Sequence, residues 1–321
     1  RHVLRHADAS SLGRDSTWLS GHSAHVPALS PPARPASSDV AEILARAKDG
    51  LSPSENEVVR LFEARGKDFD HVVVTADTLR KTQAGDSVSY TVNRNINYTN
   101  VCYFHCKFCA FSKGKTHEDL RGAPYDLDLE EISRRAKEAW ARGATEVCLQ
   151  GGIHPAYTGQ TYLDICKAIL DGAAGMHIHA FSPLEVWQGA ATLELELPTF
   201  LSQLKAAGLK SLPGTAAEIL DDEIRAIICP DKLNTGQWFE VMHAAHGVGL
   251  RSTATIMFGH VEAPRHWARH LLRLRALQVE TGGLTEFVPL GFVAMEAPIF
   301  RRGGARQGPT WCEAVLMHAV A

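Results

Sequence analysis

From residue 87 onward the sequence alternates between short apolar runs and amphipathic stretches, and this alternation restricts the possible folds most tightly. "SVSYTVNRNINYT" alternates with a period of two, as a strand does. "LEEISRRAKEAWARG" sets Ile132, Ala136 and Trp140 on one helical face and stops at Gly143, a C-cap signal. "TEVCLQGG" reads as a buried strand ending in two glycines. The same order then repeats. Helices are expected at "YLDICKAIL", "FLSQLKAAG", "AEILDDEIRAII", "GQWFEVMHAAHGVG" and "PRHWARHLLRLRAL". Strands are expected at "MHIHAF", "KSLPG", "RSTATIMFG" and "TEFVPLGF". Six strands result, centred near residues 90, 148, 178, 212, 255 and 287. The later gaps match the roughly 30 residues or more of a β-α-β unit. Serial units of this kind give parallel strands with right-handed crossovers. The expected class is therefore α/β: a β/α barrel, partial or full, with a doubly wound open sheet as the alternative. Polar or glycine residues follow most strand ends, at the cysteine loop, Gln150 to Gly152, Ser182, Gly214, and Gly259 with His260. In a parallel barrel these positions share the C-terminal face, where active sites lie.

The rest of the chain sets outer limits. At 321 residues and 45% hydrophobic it can bury one large core or two modest ones. A net charge of −3 is too balanced for a nucleic-acid or membrane-surface binder. No apolar run approaches the ~18 residues of a transmembrane helix. The opening "RHVLRHADASS" does not read as a signal peptide. Residues 1–40, rich in Ser, Ala, Pro and His, are expected to be a flexible linker or the tail of a preceding domain. Residues 41–86 are expected to be a helical lead-in. There Ser52, Pro53 and Glu55 supply N-cap, N1 proline and capping-box acid for a helix ending at Gly66. Residues 87–321 are the expected barrel. Its last helix opens with a capping box, Thr310 and Glu313, but shows no C-cap. The barrel is thus expected to be incomplete at its C-terminus and the chain a fragment.

Seven cysteines do not form a disulfide framework in a chain this long, and three of them crowd together. Cys102, Cys106 and Cys109 form a C-x3-C-x2-C loop directly after the first strand. A metal site in the reducing cytoplasm is expected. Thiolates are soft ligands for zinc or iron–sulfur clusters. A structural zinc site takes four protein ligands, commonly as two separated pairs. Three thiolates on a cubane cluster leave one iron open to a substrate or cofactor. Cys148, Cys166, Cys229 and Cys312 stand singly in apolar contexts, where cysteine fills core. An electron-transfer or structural metal domain is the competing class, and it would usually supply a fourth cysteine.

With Phe108 directly before the third cysteine, this loop resembles that of the radical S-adenosylmethionine superfamily. The resemblance implies a 4Fe–4S cluster on Cys102, Cys106 and Cys109, with S-adenosylmethionine on the fourth iron. There one electron cleaves the cofactor to methionine and a 5′-deoxyadenosyl radical. "YTVNRNINYTNVCYFHCKFCAFSKG", "LQGGIHP", "HIHAFSPLEV", "LPGTAAEILDDEIR" and "FGHVEAPRHWARHL" occur in this order. Together with "TGGLTEFVPLGF" they are similar, over about residues 50–321, to the tyrosine-using FO synthase family. That family joins the 4-hydroxybenzyl group of L-tyrosine to 5-amino-6-(D-ribitylamino)uracil and releases 2-iminoacetate. A partner half then closes the ring to the deazaflavin FO, precursor of a hydride-carrying coenzyme. The resemblance therefore also implies a low-potential electron donor and a second half in the same parent chain. A sister radical enzyme of futalosine-route menaquinone biosynthesis is the alternative within enzymes.

Other candidate residues each carry a structural alternative. By the resemblance, Gln150, Gly151 and Gly152 meet the amino group of S-adenosylmethionine; otherwise they are a strand-end turn. Ser182 and Glu185 are read as a cofactor contact or as a plain S-x-x-E capping box. Gly214 and Thr215 are placed at a helix start with Glu218 one turn in, where Glu218 holds ribose hydroxyls or pairs with the helix dipole. His177 and His179 share a strand face and line either a substrate pocket or a satisfied interior. His260, after the fifth strand, is a candidate substrate contact. Arg265, Arg269 and Arg273 form an i, i+4 stripe, expected to be the solvated face of an outer helix.

Overall fold

The computed structural model describes residues 2–14, 16–21, 26, 28–112 and 123–321. Lys113 and Gly114 of the cysteine motif, and part of the expected linker, lie outside the described residues. Six strands build one sheet: β1 Asn93–Asn97, β2 Glu146–Gln150, β3 His177–Ala180, β4 Leu209–Leu212, β5 Arg251–Phe258 and β6 Leu284–Gly291. All pair in parallel and in chain order, β1 to β6. Helices α1 His2–Arg5, α2 Ser38–Lys48, α3 Glu55–Phe62 and α4 Lys67–Ala84 precede the sheet. Helices α5 Leu129–Ala141, α6 Gly159–Gly172, α7 Pro183–Thr192, α8 Leu197–Ala206, α9 Asp222–Ile228, α10 Thr235–Gly247 and α11 Pro264–Thr281 connect the strands. After β6 come α12 Pro298–Arg301 and α13 Trp311–Val320. The architecture is a half-barrel with its helices outside.

Strand alternation explains the layering. Val147 and Leu149 of β2, and Ile178 and Ala180 of β3, are fully buried. They form one core with Ile132 and Ala136 of α5, Ile165 and Ile169 of α6, and Phe200, Leu201 and Leu204 of α8. Cys148, Gln150, His177 and His179 alternate to the inner face. A second core joins the N-terminal helices to the last ones. It holds Val40, Ile43, Val58, Phe62 and Val72 together with Trp267, Ile299 and Leu316. The Phe62 and Trp267 rings meet edge to face at 5.0 Å.

Several local expectations are corrected. The first strand begins at Asn93, not at residue 87, because β2 offers its first partner at Glu146 opposite Asn93. Val88 and Tyr90, left without a neighbouring strand, are 91% and 87% exposed. On α5 the buried face is Ile132, Ala136 and Ala139, while Trp140 is 46% exposed. The capping box of α3 is Ser54 with Glu57, not Ser52 with Glu55, and the helix stops at Phe62. The segment 214–221 is not a helix start. Ala216 and Glu218 take positive φ, 59° and 45°, and the α9 helix begins only at Asp222.

The described part of the expected linker packs on the C-terminal region. Arg14 donates to Gly308 O and Pro309 O, both at 2.9 Å. Ala9 N donates to Glu313 Oε1 at 2.7 Å, and Trp18 meets Trp311 edge on at 5.6 Å. Glu313 also completes the capping box of α13 with Thr310.

Candidate functional site

The loop from Tyr98 to Ser112 leaves the C-terminal end of β1 and is fastened by backbone contacts on several sides. Gly152 N donates to Thr99 O at 2.9 Å, and Tyr103 N to Ile153 O at 3.1 Å. Lys107 N donates to Ile228 O at 2.8 Å, and His105 N to Asp231 Oδ2 at 2.9 Å. Held this way, Cys102, Cys106 and Cys109 line one cavity of about 450 Å³ at the C-terminal face. Phe108, Gln150, Gly151, Gly152, Ser182, Glu185, Thr215, Glu218, Lys232 and Met257 share its wall. Seven of the sites read from the sequence thus come together with the three thiols. Cys102 and Cys106 also pack against an apolar jacket of Phe104, Ile153, Leu184, Ala216 and Leu233.

The two strand-end glycines line the cavity and also make room for the cysteine loop. A Cβ on Gly152 would sit 2.2 Å from Val101 O and 2.9 Å from Cys102 Cβ. One on Gly151 would sit 2.3 Å from the Tyr98 ring. The room they leave is filled by the cysteine loop itself, so they let that loop close onto β2.

Ser182 and Glu185 form the capping box of α7, with Ser182 N donating to Glu185 Oε2 at 2.7 Å. Glu185 does more than cap. Its other oxygen accepts Gly151 N at 3.2 Å and the Tyr98 hydroxyl. Burial pushes the Glu185 carboxyl above its usual range, against the lowering by these donors. One carboxylate therefore ties the end of β2, the start of the cysteine loop and the start of α7.

Glu218 pairs with Lys232, Oε1 to Nζ at 2.6 Å, with side chains only 13% and 8% exposed. Against the upward push of burial, Lys232 holds the Glu218 carboxyl below its usual range. The Lys232 ammonium also lies 5.5 Å from the centre of the Phe108 ring. Lys232 was not singled out in the sequence. A lysine inside the apolar run "IICPDKL" is the signal that could have found it.

The three histidines do not belong to this cavity. His177 Nε2 and His179 Nδ1 both meet Ser211 Oγ, at 2.8 and 2.7 Å. Burial and the neighbouring His177 push His179 down to about 4. Both histidines lie on the inner face of the sheet, and neither lines the cysteine cavity. His260 is fully enclosed, donating from Nε2 to Met257 O at 3.0 Å and meeting Glu262 at 2.9 Å. It has no surface to offer a substrate. The arginine stripe is not simply solvated. Arg269 bridges Glu55 at 3.0 Å and Asp221 at 3.3 Å, and Arg273 donates to Leu220 O.

The cavity fits an iron–sulfur cluster with a further ligand. Among the described residues, the three cysteine sulfurs do not all lie within 4.8 Å of one another. One tetrahedral ion with ~2.3 Å bonds to sulfur would draw them closer. Burial pushes the Cys106 and Cys109 thiols up, against the opposing pull of Lys232. Coordination by a cation relieves that penalty by taking the thiolate form. Thr215 Oγ1, in the same wall, is buried with no hydrogen-bond partner. It is a polar atom in position for a ligand.

Residues 96–274 match the Radical SAM superfamily. Over 273 residues, 85% of this chain, the sequence is 48% identical to FO synthase of Streptomyces avermitilis and covers 31% of that protein. It is 44% identical over 280 residues to the 5-amino-6-(D-ribitylamino)uracil–L-tyrosine 4-hydroxyphenyl transferase of Methanothermobacter thermautotrophicus, covering 87% of this chain and 75% of that one. The chain thus spans about a third of the FO synthases it matches. Among solved structures, a methylornithine synthase aligns with TM-score 0.56 at 17% identity, over 82% of this chain and 70% of that one. A maturase of the [FeFe]-hydrogenase, HydG, aligns with TM-score 0.59 at 17% identity, over 78% of this chain and 54% of that one. These two likenesses concern the fold.

Proposed function

The chain belongs to the radical SAM superfamily, and from that premise we propose that it carries the tyrosine-using half-reaction of FO synthesis. The 4-hydroxybenzyl group of L-tyrosine would be joined to 5-amino-6-(D-ribitylamino)uracil. One observation carries this reading: the 44% identity to a transferase of that name over most of both chains, with the three thiols gathered in one cavity. The cofactors of the superfamily are a 4Fe–4S cluster and S-adenosylmethionine. Bound together, they supply one-electron radical chemistry.

The chain's own residues hold and shield. Cys102, Cys106 and Cys109 are the cluster ligands in this reading. Phe104, Leu184 and Leu233 keep water from two of these sulfurs. Glu185 fixes Gly151 and, with it, the cofactor-facing edge of β2. The free Thr215 hydroxyl offers a donor and an acceptor to the bound cofactor. Phe108, Gln150, Gly152, Ser182 and Glu218 complete the wall. A low-potential electron donor, a cyclising partner half in the parent chain and a reducing, cytoplasmic setting belong to the same reading. Among the described residues no helix is long and apolar enough to cross a membrane.

The test is anaerobic. The chain is reconstituted with iron and sulfide and given reductant, S-adenosylmethionine, tyrosine and ribityl-diaminouracil. Release of 5′-deoxyadenosine, followed by mass spectrometry, is expected to depend on tyrosine. Release that ignores tyrosine but responds to a chorismate-derived enol ether would transfer the assignment to the menaquinone sister. A chain that takes up no cluster would end the reading.

A further inference from the structure

The buried Lys232–Glu218 pair lines the same cavity as the three thiols. Three contacts fasten its segment to the cysteine loop. Ile228 O accepts Lys107 N at 2.8 Å, Asp231 Oδ2 accepts His105 N at 2.9 Å, and Lys232 Nζ sits 5.5 Å from the Phe108 ring centre. Phe108 is the residue before Cys109. The Lys232 side chain is 8% exposed and lines the same cavity as the three sulfurs.

Of the two charged groups, it is the Lys232 ammonium that stands over the ring of Phe108, next in the chain to Cys109, and it lines one cavity with all three sulfurs. The pair presents its positive end to the loop. In a water-poor site such a charge is screened little. Iron–sulfur potentials follow net charge and local electrostatics.

We infer that Lys232 is the counter-charge of the cluster and raises its reduction potential, making one-electron reduction by a low-potential donor easier. The inference rests on the cluster assignment made above. An oxidised 4Fe–4S core with three thiolates is a monoanion. One electron from the donor makes it a dianion, with no bond made or broken and no proton moved. A fixed ammonium beside it stabilises the dianion more than the monoanion. Glu218 holds the ammonium in place, Oε1 to Nζ at 2.6 Å.

Lys232→Met removes the charge with little change in bulk. The full chain and its variants are reconstituted anaerobically with iron and sulfide. Bound iron is counted, and the cluster is titrated with dithionite and mediators while its reduced form is followed by electron paramagnetic resonance. Lys232→Met is expected to hold as much iron as wild type and to be harder to reduce by a factor of about ten or more, about 59 mV for one electron. The double variant Lys232→Met/Glu218→Gln leaves no orphaned carboxylate and is expected to keep that shift. An unchanged midpoint in Lys232→Met overturns the inference. So does a double variant that returns to the wild-type midpoint, since the carboxylate would then be the cause. If only Lys232→Met fails to load, the double variant carries the test. If both fail while wild type loads, Lys232 is structural and the inference falls. A wild-type chain without cluster would instead refute the cluster assignment itself.

Discussion

At Gly152 a single added carbon would meet Val101 O at 2.2 Å, too close for any backbone to tolerate unmoved. The Gly152→Ala variant is therefore expected to displace the cysteine loop. A loss of about 1–3 kcal/mol is the usual cost of such overpacking, read as a lower denaturant midpoint together with reduced iron uptake. Unchanged stability would show that the loop yields freely. The thiols give a sharper forecast. Changing any one of Cys102, Cys106 or Cys109 to Ala should abolish cluster assembly and tyrosine-dependent 5′-deoxyadenosine release, while Cys166→Ala should leave both intact. Cys166 is buried in the outer core and is not part of the cavity wall. These two classes of cysteine were separable in the sequence, because spacing alone sets a close-set triplet apart from cysteines that stand singly. Lys232 was not separable. Its meaning lies in lining one cavity with Cys106, far away along the chain.

At the scale of elements, hydrophobic periodicity located β2 to β6 and most helices. The outer core depends on that periodicity. Phe200 on α8 is fully buried, and its ring packs against Gly189 of α7, where a Cβ would lie 2.7 Å away. Phe200→Ala should cost about 3–5 kcal/mol. The urea midpoint should fall with little change in slope; a fall under 1 kcal/mol would mean that the site collapses to fill the hole. Where periodicity failed, tertiary partners had taken the backbone groups. "TAAEIL" has good helix formers, yet Glu218 O accepts Met257 N at 2.8 Å and Leu220 N donates to His270 Nδ1 at 2.9 Å. Neighbouring strand and helix therefore outbid local propensity. β1 failed in the opposite way: its alternation continues past the point where a partner strand exists.

For the whole molecule, His270 links stability to pH. Its ring is fully buried on α11, accepts Leu220 N, and is pushed by burial down to about 3 from an ordinary 6.5. Between those values the unfolded chain binds a proton that the folded one refuses. This contribution is complete above about pH 6.5 and is lost progressively as the pH falls toward 3. One such proton accounts for at most about 1.4 kcal/mol per pH unit. Unfolding free energy measured across that window should fall with acidity, and His270→Asn should flatten the slope. An identical slope in the variant would assign the acid sensitivity to other groups, with His179 the next candidate. The N-terminal residues also act at this scale. Arg14 and Trp18 reach Pro309 and Trp311, a contact that composition gave no reason to expect.

Spacing and period are local properties, and they were enough to determine the parallel strand order, the cysteine triplet and its position after β1. Each depends on residues a few places apart, where geometry follows directly from chain connectivity. Only the tertiary structure decided the rest. It enclosed His260, paired His177 with His179 through Ser211, gave the strand-end glycines to the loop, and set Lys232 beside the sulfurs. A buried polar group takes its role from whichever partner satisfies it, and that partner is chosen by packing across the fold.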